Sequence, residues 1–177
     1  APGAAAEAIS ALIQICAAAL SYDAGEVMAV TARLTSAGQS EAEGQLRVFS
    51  GICELVSQGC RAGTPLGPAA TLLATVLLRS PGDAGAARLA AATVRELTVA
   101  LAGRAVAGNT ASLTAGRKRK RPGAEAEELQ RGAAQLLAVT EAAARSASLA
   151  LELPAEEWKA VVMRLQEAAG AGMVRWR

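Results

Sequence analysis

The chain has 177 residues, 52% of them apolar, 19% charged and only 2% aromatic, and it contains no histidine. That length and apolar content suit one folded domain with a real core and exclude a disordered tail. The formal charge of +2 is uneven: five basic residues stand together in Arg117, Lys118, Arg119, Lys120 and Arg121, and the remaining 13 basic against 16 acidic side chains leave a body of net −3. Such a body offers no broad basic face, which disfavours nucleic acid as a partner.

In chain order, Ile9, Leu12, Ile13, Cys16 and Leu20 recur at spacings of three and four, predicting a helix over residues 4–21 with one buried stripe. Asp23 followed by Glu26 forms a capping box with Asp in place of Ser or Thr. It starts a shorter helix through Val27, Val30 and Leu34, which Gly38 ends. Ser40 with Glu43 is the standard capping pair for a third helix, aligning Leu46, Phe49, Ile52, Cys53, Val56 and Cys60 on one face.

Gly59, Gly63, Pro65, Gly67 and Pro68 then interrupt the period before an apolar helix over 69–79. A helix apolar nearly all round is buried on several sides, so this one belongs at the centre. Ser80 and Pro81 fit the cap and first turn of the next helix, with Asp83 favoured there by the helix dipole and Ala90, Val94, Leu97 and Leu101 as its core stripe. Over 103–123 the period is lost among Gly108, Asn109, Gly116 and the basic cluster, which predicts a long exposed loop.

Pro122 and the early Glu125, Glu127 and Glu128 open a further helix carrying Leu129, Ala133, Leu136, Leu137 and Thr140 inward. Leu153 and Pro154 mark the last start, with Trp158, Val161, Val162 and Leu165 as its stripe and Gly170 and Gly172 as its end. Apart from Met173 to Trp176 no alternating β pattern of useful length occurs. The expected fold is all-α, an antiparallel bundle or layered array of about seven Ala-rich helices in one domain over 1–177, its halves 4–103 and 122–169 joined by the basic loop 104–121.

Chemistry is sparsely provided for. Without histidine, and with three cysteines that form no Cys-x-x-Cys, neither a metal site nor a cofactor site is expected. The paired glutamates read as helix N-terminal charge, no base stands in a recognisable catalytic motif, and no phosphate-binding glycine motif occurs. Cys16, Cys53 and Cys60 all lie on expected buried stripes and read first as small core residues. Cys53 and Cys60 are two turns apart on one helix, about 10 Å between Cα atoms and beyond the reach of a disulfide. In an oxidising compartment the feasible bond joins Cys16 to Cys60, or alternatively Cys16 to Cys53.

The basic cluster Arg117 to Arg121 admits three readings: a solvated loop, a nuclear-import or phosphate-binding segment, and a cleavage site that Pro122 disfavours. The longest apolar run, Ala69 to Leu78, is far short of the roughly 20 residues that cross a bilayer. On that length no transmembrane segment is expected within these residues, and since no charged stretch precedes the first apolar segment, no signal peptide is expected either.

A helix followed by Ser21-Tyr22-Asp23-Ala24-Gly25-Glu26-Val27 and Leu34-Thr35-Ser36, then Ile52-Cys53-Glu54-Leu55-Val56 and Leu77-Leu78-Arg79-Ser80-Pro81 before a long helix, resembles the helical region of the large receptor-like polycystins and receptor-for-egg-jelly proteins. That region lies around subdomain A of the GAIN fold, and the resemblance covers Ile9 to Leu165. It implies an extracellular or cell-surface, non-catalytic helical module of a membrane receptor, set before a β-sandwich that supports autoproteolysis. Neither the sandwich nor its His-Leu-Thr/Ser cleavage motif occurs in this chain. The expected function is a structural or protein-interaction module whose partner is another protein or the neighbouring domains of a larger chain. The alternative is an intracellular scaffold or nuclear adaptor addressed by Lys118 to Arg121.

Overall fold

The computed structural model describes residues 3–35, 40–79, 81–114, 123–145 and 153–170, with the backbone alone described at 105–114 and 143–145. Among them the regular elements are all helical: α1 (Ala4–Thr35), α2 (Glu41–Ala62), α3 (Leu66–Leu77), α4 (Ala84–Thr114), α5 (Ala124–Arg145) and α6 (Ala155–Ala168). The all-α expectation holds, with six helices rather than about seven. The difference lies at Asp23, whose extended backbone (φ −153°, ψ 90°) is a kink between two helical stretches taken together as α1, the break the sequence predicts. The Glu26 N–H donates to Asp23 Oδ1 at 3.0 Å, so the expected capping pair restarts the helix at that bend.

Caps and breakers explain most of the other boundaries. Ser40 accepts from the Glu43 N–H at 3.3 Å and starts α2, and Gly63 ends it in the left-handed region at φ 72°. Thr64 closes that end twice, its N–H and its hydroxyl both donating to the Gly59 carbonyl. Helix α3 begins at Leu66, earlier than expected, because a proline in the first turn such as Pro68 lacks only an N–H that would have no helical partner. Asp83 caps α4, accepting from the Ala86 N–H at 3.0 Å, while Ser80, the expected cap, lies outside the described residues.

The expected loop over 104–121 is corrected in its first part, since α4 continues through Gly108 and Asn109 to Thr114. A glycine costs a helix only about 1 kcal/mol relative to alanine, too little to stop one already anchored by packed turns upstream. The cluster Arg117 to Arg121 and the alternating stretch 173–176 lie outside the described residues.

Helix α3 is the hub, packing against α1, α2, α4 and α5, as its all-round apolarity predicts. Ten of its twelve residues are buried. The others follow one another around it through the contacts α1 with α2, α2 with α4, α4 with α6, and α6 with α5. Phe49, Cys53 and Val56 from α2, Ala90, Val94, Leu97 and Leu101 from α4, Ala133 and Leu136 from α5, and Val161 and Leu165 from α6 close the core. Glycines set the tightest spacings. A Cβ on Gly132 would stand 2.5 Å from the Gly67 carbonyl oxygen, and one on Gly59 would stand 2.7 Å from Ile13 Cδ1. Only glycine lets α5 reach the α3 backbone this closely, whereas at Gly59 the neighbour is a side-chain tip that can shift.

Candidate docking surface

Helices α1 and α5 both pack on α3 without packing closely on each other, and this opens the ring. The opening is a groove of about 450 Å³ floored by Pro68 and Thr71 of α3. Gln14 of α1 stands on one wall; Glu128, Arg131 and Gln135 of α5 stand on the other. The three α5 residues are spaced by three and four and so share a helix face. One acid, one base and two amides make a groove of no net charge, equipped to exchange hydrogen bonds with a polar partner rather than to trap an ion.

Beyond Gln14, α1 presents an outer face that none of the described residues covers. Leu12 is 51% exposed, Ile15 64% and Tyr22 97%, and Ala8, Ala11, Ala18 and Ala19 around them are exposed as well. No charged residue interrupts the helix between Glu7 and Asp23. Leu12 was expected on the buried stripe with Ile9, Ile13, Cys16 and Leu20; Ile13 and Leu20 are buried, Ile9 and Cys16 half-buried, and Leu12 is turned outward. Beyond the bend, Val30 and Leu34 are exposed too, while Met28 and Ala32 carry the buried side. Spacing alone could not separate these stripes, because alanine, compatible with either side, does not mark where the core face ends.

The expectation that no membrane-spanning segment lies in these residues is also corrected. Helix α1 is long and apolar enough to cross a membrane, and only 11% of its apolar stretch is buried. That expectation rested on uninterrupted apolar runs. Ser10, Gln14 and Ser21 interrupt α1 without lowering its average apolarity far.

The ionisable side chains with described contacts serve the fold. Arg61 of α2 pairs with Glu96 of α4 at 3.1 Å, Arg95 of α4 pairs with Glu157 of α6, and Lys159 pairs with Glu156 at 3.0 Å. Asp23 and Asp83 are helix caps. Cys53 is buried and Cys16 and Cys60 are half-buried, each a free thiol here. Burial pushes the Cys53 thiol up to about 11. Burial, helped by the nearby Glu96, does the same for Cys60, and burial raises Cys16 as well. All three are therefore protonated at neutral pH and poor nucleophiles. No group of His, Cys, Asp and Glu able to hold a metal ion occurs among the described residues.

Compared with protein-family models, with curated proteins and with solved structures, the chain matches none.

Proposed function

We propose that this chain is a non-catalytic helical docking module, an antiparallel bundle built around α3 that serves as part of a larger surface or receptor-type assembly. The observation that carries this reading is the uncovered outer face of α1, where Leu12, Ile15 and Tyr22 project from an alanine background. Exposed apolar area of this kind marks an interaction surface, because leaving it in water costs free energy that a covering partner recovers. The neutral polar groove beside it supplies hydrogen-bonding groups at the rim of the same surface. The engagement of Asp23, Asp83, Arg61 and Arg95 in caps and ion pairs supports a structural rather than a catalytic use of charge. The resemblance to the helical region of the receptor-like polycystins supports the surface setting.

Carbene footprinting tests the docking role by comparing the chain in the cells that make it with the same chain purified and dilute. Labelling at Ile15 and Tyr22 is expected to fall severalfold in the cell, while labelling at Val99 and Met163, exposed apolar residues on α4 and α6, stays constant. Equal labelling at all four positions in both settings overturns the docking role.

The second reading, an intracellular scaffold or nuclear adaptor using Arg117 to Arg121 as an import or phosphate-binding segment, is favoured by the three free thiols. Thiol titration of the natural protein, denatured but never reduced, separates the two. Three reactive thiols support the intracellular setting, and one supports a disulfide and an oxidising compartment.

A further inference from the structure

We draw no further inference here: the strongest candidate, the groove between α1 and α5 with Gln14, Glu128, Arg131 and Gln135 on its walls, belongs to the docking surface already described, and its four polar side chains are all exposed, so that nothing in the structure shows what occupies it.

Discussion

Helices α1 and α3 pose the same problem and meet it differently. Neither carries a charge over its apolar length, which runs from Leu66 to Leu77 in α3 and between Glu7 and Asp23 in α1. Four other helices surround α3 and bury nearly all of it. Among the described residues, helix α1 has neighbours on one side only, with Ala6, Ile13 and Leu20 buried before the bend and Leu12, Ile15 and Tyr22 left outside. Apolarity shows that a helix needs cover; the helices packed against it show whether its own chain supplies that cover. Where the described helices supply it, the residues belong to the core, and where they do not, as at Leu12 and Ile15, the residues form the face proposed for docking.

The sharpest break of this comparison pits one leucine against another. Leu72 is fully buried in α3, so Leu72→Ala should cost about 2–5 kcal/mol through lost transfer energy and the cavity left behind. Leu12 is half in water, and Leu12→Ala should cost less than about 1 kcal/mol in the dilute monomer. Urea unfolding at low micromolar concentration reads both. Equal costs would mean that α1 is covered as α3 is, and the contrast between the two helices would be lost.

What the sequence disclosed was chiefly local. The Asp23–Glu26 and Ser40–Glu43 pairs announced helix starts because a cap hydrogen bond spans three residues and depends on little else. The central place of α3 was legible because all-round apolarity leaves few alternatives, and Ala90, Val94, Leu97 and Leu101 were legible as a stripe with period 3.6. The passage of α4 through Gly108 and Asn109 was not, since helix propensity is a weak guide once a helix is anchored elsewhere. The outward turn of Leu12 and Leu34 stayed hidden for another reason: three- and four-residue spacings fit adjoining stripes equally well when the residues between are alanines. The groove was illegible altogether. It exists because α1 and α5 share α3 without packing closely on each other, a relation among three distant segments that no local pattern encodes.

Two glycines sharpen the same contrast at smaller cost. Gly132 faces the α3 backbone, and the methyl of Gly132→Ala would lie 2.5 Å from the Gly67 carbonyl oxygen. A backbone oxygen cannot swing aside as a side-chain tip can. The overpacking should therefore cost about 1–3 kcal/mol, enough to outweigh the better helix propensity of alanine and lower the urea midpoint. Gly51 lies on the exposed side of α2 with nothing within 4 Å of its added methyl. There propensity acts alone, and Gly51→Ala should stabilise by about 0.5–1 kcal/mol because the unfolded chain loses freedom that the helix never had. The opposite signs are the informative result. If Gly132→Ala stabilised as Gly51→Ala does, α5 would not sit against α3 at this distance, and the floor and wall of the groove would have to part.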